Sequence, residues 1–176
     1  TPLRMIQNRD KIRHNTAGGI FLGAAAGYYI GMKEAFIRVW VNNVRKSKFQ
    51  LLQENLIMMD SSRMDEKALE EMFHVIEKKK VKCLVGYSPA LGELSEYIRK
   101  TGRDISRWSV EMVFSMGEAL PQETYDLTKE LFGFSPVRSY GNNENGFIAI
   151  QLDEDPEYTV DLYNFYPEIL KLDSDE

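Results

Sequence analysis

The sequence contains little cysteine and little histidine: one cysteine and two histidines among 176 residues. Cys83 has no partner for a disulfide within the chain and cannot build a thiolate metal cluster alone. His14 and His74 lie far apart in sequence without a third ligand pattern, so a structural or surface role is favoured for each. This scarcity argues against a disulfide-stabilised scaffold and a zinc module, and it favours a reducing, cytoplasmic setting.

Excess positive charge is also missing. The net charge is −5, whereas a nucleic-acid-binding protein needs a basic face that neutralises phosphates. The apolar stretch 17–32 is shorter than the roughly 20 residues that span a bilayer. Glycines at positions 19, 23, 27 and 31 have the spacing of membrane-helix dimers, but they equally suit a soluble helix packed closely on a neighbour. We therefore expect no nucleic-acid partner and no stable membrane insertion.

Apolar segments of strand composition alternate with segments of helical periodicity between residues 35 and 140. The predicted strands are 35–41, 55–59, 81–85, 111–114 and 136–140. The predicted helices are 8–32, 44–52, one that starts near Ser62, 90–99 and 121–131. With 43% hydrophobic and 28% charged residues, the composition is that of a folded domain. This alternation predicts an α/β fold with a mostly parallel sheet and helices on both faces.

From residue 146 the pattern changes to strands without helices, predicted at 147–151, 158–160 and 165–172. We therefore divide the chain into an α/β core, 1–145, and a small strand-rich C-terminal extension, 146–176. Because no repeat and no low-complexity linker separates the two parts, we expect a single unit.

The candidate ligand-binding loops follow three of the predicted strands, at 86–89, 115–120 and 141–145. In open parallel sheets, ligands bind beyond the carboxyl ends of the strands. Gly117 would let backbone approach a planar ligand, and the carboxylate of Glu144 suits Mg²⁺, which takes one or two protein oxygens besides phosphates. An ordinary polar turn remains the alternative for 141–145, because turns commonly use Asn and Gly.

Four motifs in register resemble the phenylacetate–coenzyme A ligase family, which includes capsule-biosynthesis proteins of the CapK type. They are VGYSP at 85–89, MGEAL at 116–120, YGNNE at 140–144 and FYPEI at 165–169. The opening residues 1–3 resemble those that follow the family's phosphate loop. The resemblance covers essentially the whole chain, and it implies an internal piece of the large N-terminal domain of the acyl-adenylate-forming (ANL) fold.

The resemblance implies a two-step reaction. A small carboxylic acid attacks the α-phosphate of ATP, pyrophosphate leaves, and the acyl-adenylate passes to the thiol of coenzyme A. ATP or AMP, Mg²⁺ and coenzyme A are the implied ligands, and family members often form homodimers. The phosphate loop is expected before Thr1, and the small domain with the catalytic lysine beyond Glu176. The 176 residues alone are therefore not expected to turn over.

The resemblance also implies residue roles. Glu144 would be the catalytic residue that ligates Mg²⁺, and the ring of Tyr140 would stack on adenine. The implied nucleotide-binding set is Gly117, Glu118, Ala119, Tyr140, Gly141, Asn142 and Asn143. The residues implied near the acyl pocket are Tyr87, Ser88 and Pro89. Asn143 and Thr159 depart from the family, which usually has Thr or Ser at the first position and often His at the second.

Two other functions stay open. A CapK-like protein would transfer the acyl-adenylate to an amine or a hydroxyl instead of coenzyme A. A non-catalytic nucleotide-binding or scaffolding domain would keep the fold without the chemistry.

Overall fold

A computed structural model describes residues 8–40, 46–142, 144–152 and 157–170. Its strands are β1 Glu34–Arg38, β2 Leu56–Asp60, β3 Cys83–Tyr87, β4 Met112–Met116, β5 Val137–Asn142, β6 Gly146–Gln151 and β7 Tyr158–Val160. Its helices are α1 Arg9–Ala25, α2 Lys48–Gln53, α3 Glu66–Lys79, α4 Ser88–Thr101 and α5 Gln122–Phe132.

The strands form one sheet in the order β2-β1-β3-β4-β5-β6-β7. The pairs from β2 to β5 are parallel, whereas β5–β6 and β6–β7 are antiparallel. The parallel pairs β3–β4 and β4–β5 are each joined by a helical crossover, α4 and α5 respectively, as parallel strands require. The sheet confirms the predicted α/β fold, and the C-terminal strands extend the same sheet.

Helices cover both faces of the sheet. On one face, Leu84 and Val113 pack in a core with Ile76 of α3 and Leu94 of α4. On the other face, α1 contributes Leu22 to a second core. The strand residues of that second core are Cys83, Met112, Phe114, Val137 and Ile150. The two cores alternate along β3 and β4, because successive side chains point to opposite faces.

Local chemistry sets the start of α3. The carboxylate of Asp65 accepts a hydrogen bond from the backbone N–H of Ala68 at 3.0 Å, so Asp65 is the N-cap. The prediction that this helix starts near Ser62 was therefore wrong. The backbone N–H of Ser62 instead donates to Asp60 at 3.0 Å in the preceding turn.

Two other predicted elements differ from the structure: one helix is shorter than predicted, and one predicted strand is absent from the described residues. Helix α1 ends at Ala25, because Gly27 and Gly31 adopt φ values of +95° and +88°, which a helix does not allow. Only the first two of the four spaced glycines therefore share a helix face. Residues 165–170 carry no strand, and the last two residues of that predicted strand lie outside the described part of the chain.

Candidate functional site

A cleft of about 490 Å³ lies at the carboxyl ends of β1, β3, β4 and β5. The strand residues that line it include Arg38 of β1, Tyr87 of β3, Met116 of β4 and Ser139 of β5. The β3–β4 register pairs Tyr87 with Met116. Continuing the β1–β3 register by one residue places Arg38 beside Tyr87. Continuing the β4–β5 register by one residue places Ser139 beside Met116. These four residues form one row across the sheet, which we call the floor row.

Two chain segments form the rest of the lining. The turn after β4 contributes Gly117 and Glu118, and the β5–β6 hairpin contributes the others. The hairpin residues are Gly141, Asn142, Glu144, Gly146 and Phe147. Six residues singled out from the sequence thus line one cleft: Tyr87, Gly117, Glu118, Gly141, Asn142 and Glu144.

The turn after β4 requires glycine. Gly117 has a φ of +82°, and a Cβ added there would lie 2.7 Å from Cδ1 of Tyr87. An L-residue would therefore be strained and would collide with that ring. The result is a turn whose backbone lies directly against the Tyr87 ring at the cleft.

Ser88 lies beneath this turn rather than in the cleft lining. It is buried, and its hydroxyl donates to the carbonyl oxygen of Glu118 at 2.8 Å. Its oxygen also lies 2.7 Å from the Ser115 hydroxyl oxygen. A hydroxyl has one hydrogen to donate, so Ser115 is the donor in that second bond. Ser88 therefore fixes the position of the Glu118 backbone and links α4 to β4.

The β5–β6 hairpin is held by close backbone packing. Its register shifts between Tyr140 and Gly141, and a Cβ added at Gly141 would overlap the carbonyl oxygen of Gly146. The side-chain oxygen of Asn142 accepts a hydrogen bond from the backbone N–H of Asn145 at 2.8 Å. Asn143, a predicted nucleotide-binding residue, lies outside the described residues.

Glu144 brings a carboxylate to the cleft from a half-buried position in the hairpin. Within the described ranges, no group of three or more His, Cys, Asp or Glu side chains is placed to hold a metal ion. Mg²⁺ takes one or two carboxylates together with phosphate oxygens, so a single carboxylate beside a nucleotide fits it. The same arrangement does not fit a structural zinc ion, which needs four protein ligands.

Besides Ser88, three predicted residues of the described chain are not part of the cleft lining. Pro89 is exposed in the first turn of α4, and Ala119 is exposed between β4 and α5. Tyr140 is 63% exposed and pairs with Ala149 of β6. Its ring is accessible for stacking, although no contact from it shapes the cleft.

Arg38 is the charged cleft residue that the sequence analysis missed; Ser139 and Phe147 were missed as well. Its guanidinium carbon lies 5.4 Å from the ring centroids of Phe36 and Trp40, and 5.7 Å from that of Tyr87. An arginine interrupting the apolar run 35–40 was a signal that could have found it, since a charge in a buried strand is rare.

Two acidic groups outside the cleft lining, the carboxyl of Glu34 and the thiol of Cys83, have raised pKa values because they are buried. Burial raises the pKa of Glu34, and Glu54 adds to this effect, while Lys46 opposes it. Burial, with a smaller effect of Glu34, raises the pKa of the Cys83 thiol, so the thiol stays protonated at neutral pH. Cys83 is therefore a core residue and not a nucleophile.

The helices resolved in the described part of the chain include none with the length and apolar character needed to cross a membrane. No protein-family model matches the sequence, and no curated protein matches it.

Several solved structures share the fold. A 2-hydroxyisobutyryl-CoA ligase in complex with 2-HIB-AMP and CoA matches 84% of this chain with a TM-score of 0.61 and 10% identity. The amide bond synthetase McbA from Marinactinospora thermotolerans matches 85% with a TM-score of 0.57 and 15% identity. A malonyl-CoA ligase with methylmalonyl-CoA and AMP bound matches 89% with a TM-score of 0.54 and 13% identity.

The chain spans about a third of the length of these structures: 35%, 33% and 33% of them, respectively. At 10 to 15% identity the similarity shows the fold and not the activity. The chain thus has the fold of a segment of these ligase and synthetase structures, and this fold is the α/β type with a mostly parallel sheet that the sequence predicted.

Proposed function

We propose that this chain is an internal part, with an α/β core at 1–145 and an extension at 146–176, of the large domain of an adenylate-forming ligase. The protein would activate a small carboxylic acid with ATP and pass the acyl group to coenzyme A, as phenylacetate–coenzyme A ligases do. The observation that carries the proposal is the meeting of the Gly117 turn and the β5–β6 hairpin at one cleft. Ligands bind at this edge of parallel sheets.

The cleft suits a nucleotide at its hairpin end. The glycines at positions 117, 141 and 146 line this end, so backbone polar groups are available there to a phosphate or a base edge. Tyr87, Met116 and Phe147 provide apolar surface that excludes water beside the reacting groups. These residues would bind and orient the adenylate, and such positioning is a large part of catalysis in phosphoryl and acyl transfer.

Glu144 would hold Mg²⁺, which supplies neutralising charge for the phosphates when it is bound. The buried Ser88 bond to Glu118 keeps the turn opposite the hairpin in place, so that the cleft is formed before the nucleotide binds.

The test is acid-dependent exchange of pyrophosphate into ATP by the full-length protein, with a panel of aryl and acyl acids. We expect Glu144→Gln to lower exchange by about 100-fold, because removing one electrostatic group of a transition state typically costs that much. Glu130→Gln, at an exposed position of α5, is the control and should exchange like the wild type. Exchange by Glu144→Gln at the level of the control would contradict the proposed role of Glu144. No exchange by the wild type with any acid would contradict adenylation and favour a non-catalytic scaffold.

The acyl acceptor needs a separate assay. The similarity to an amide bond synthetase and the resemblance to CapK-type proteins make an amine or hydroxyl acceptor the second candidate. Incubating the protein with its best acid and ATP, and then with coenzyme A, an amine or a sugar, separates the two candidates by the product formed. A thioester as the main product supports the ligase, and an amide or ester supports the alternative.

A further inference from the structure

Arg38 places a positive charge at the end of the floor row opposite the hairpin. It is the last residue of β1, and β3 and β4 separate it from Ser139 of β5. Three strand spacings of 4.7–4.9 Å put the two ends of the row about 14 Å apart. The cleft therefore has a cationic end at Arg38 and a glycine-rich end at the hairpin.

The guanidinium of Arg38 is held among aromatic rings. Phe36 of β1, Trp40 just after β1, and Tyr87 of β3 surround it. The Trp40 ring is itself fixed, because its N–H donates to the carbonyl oxygens of Phe36 at 3.2 Å and Met59 at 3.0 Å. Cation–π contacts with immobile rings preorganise the arginine, so little side-chain entropy is lost when it binds an anion.

The same guanidinium lacks an anionic partner. Its Nε atom is buried without a hydrogen-bond acceptor, and the described residues give its charge ring contacts but no ion pair. Asp60, the register partner of Arg38 on β2, accepts a bond from the Ser62 N–H. Because this half-buried arginine lines the cleft and has no ion-pair partner among the described residues, we expect it to bind an anion that enters the cleft.

We propose that Arg38 binds a second carboxylate of the substrate, so that the acid activated by this protein is a dicarboxylic acid. The inference rests on the proposed function, which puts the reacting carboxylate and the nucleotide at the hairpin end. The remote carboxylate then lies against the guanidinium, whose fork of N–H groups matches it in a bidentate pair. A monocarboxylic acid of equal length would leave the arginine unpaired, and a site built in this way rejects such an analogue.

The test compares matched acids in the full-length protein. Succinate, glutarate, adipate and pimelate are compared with butyrate, valerate, hexanoate and heptanoate, both in binding by titration calorimetry without ATP and in pyrophosphate exchange. We expect the wild type to prefer one diacid over its monoacid by at least about 10-fold in both measurements. Arg38→Gln should remove that preference without changing the KM for ATP, and Arg38→Lys should restore part of it.

Arg107→Gln is the charge-matched control. Arg107 is 79% exposed and lies on the loop before β4, at the amino ends of the strands and therefore away from the cleft. Diacid binding that depends on Arg38, but without exchange for any acid, would refute adenylation and support the diacid site. Exchange with monoacids and no preference for diacids would support adenylation and overturn the inference. A higher KM for ATP in Arg38→Gln with every acid would also overturn it, because Arg38 would then serve the phosphates.

Discussion

Glu34 shows how one side chain links burial to stability. It stands at the start of β1, where burial, with a smaller effect of Glu54, raises its pKa and Lys46 opposes the shift. The folded state therefore holds the proton more tightly than the unfolded state, whose pKa is near 4.5. The stability that this proton contributes is complete below the unfolded pKa and is lost as the pH rises through the folded pKa.

Replacing Glu34 with Gln should therefore stabilise the protein at neutral pH. We expect a gain of about 1 kcal/mol, or roughly 3 °C in the unfolding temperature, at pH 7 and no gain near pH 4. Thermal unfolding at the two pH values measures this difference. Glu93→Gln, at an exposed site of α4, is the control and should show no such pH-dependent gain. A Glu34→Gln variant less stable than the wild type at neutral pH would refute the account.

At the scale of elements, the β5–β6 hairpin depends on Gly141. A Cβ there meets backbone atoms, including Cα of Phe147 at 3.1 Å, and backbone cannot yield as a flexible side chain can. Gly102, the C-cap of α4, has a φ of +61° but open space around it, so alanine there is strained without a clash. Alanine at position 141 therefore tests the cost of steric overlap, and alanine at position 102 tests the cost of backbone strain alone.

We expect Gly141→Ala to cost about 2–3 kcal/mol of unfolding free energy, and Gly102→Ala only about 1 kcal/mol. Gly141→Ala should also weaken nucleotide binding, whereas Gly102→Ala should not. Urea unfolding and nucleotide titration measure the two effects. Similar costs for both variants, or nucleotide binding unchanged in Gly141→Ala, would show that the hairpin can rearrange and does not form the site as described.

The elements differ in how well the sequence predicted them. The central strands and the helices after β3 and β4 were found, because their patterns are local and bounded by Gly and Pro. Helix α1 was predicted too long, since the periodicity of small residues continues through glycines that the structure uses in turns. The predicted strand at 165–172 failed over 165–170, because aromatic and β-branched composition marks a strand only where a neighbouring strand pairs with it.

The sequence predicted only the part of the candidate site that local patterns reveal. Glycines and polar residues after strands identify the Gly117 turn and the hairpin, because parallel strands end at one edge. Arg38 was missed, since its place beside Tyr87 depends on the β1–β3 register, which joins segments almost fifty positions apart. Ser88 was placed toward the acyl pocket, and only the fold shows that its hydroxyl points to the Glu118 backbone.

For the molecule as a whole, the cleft at the carboxyl ends of the strands is the proposed nucleotide site. A second surface depression, lined by residues including Arg63, Glu70 and Arg103, offers a comparison region on the same chain. There, Glu70 already pairs with Arg103 and with His74, so its charge is satisfied within the protein. The two regions make different predictions for where ligand binding protects backbone amides.

Hydrogen–deuterium exchange of the full-length protein, with and without ATP and Mg²⁺, tests the claim most directly. We expect slower exchange of the amides at 116–119 and 140–147 when the nucleotide is bound, and a smaller effect in Glu144→Gln. Amides at 63–70 and 97–103 should be unchanged. Nucleotide binding that leaves the turn and the hairpin unprotected, or that protects only the second depression, would contradict the account.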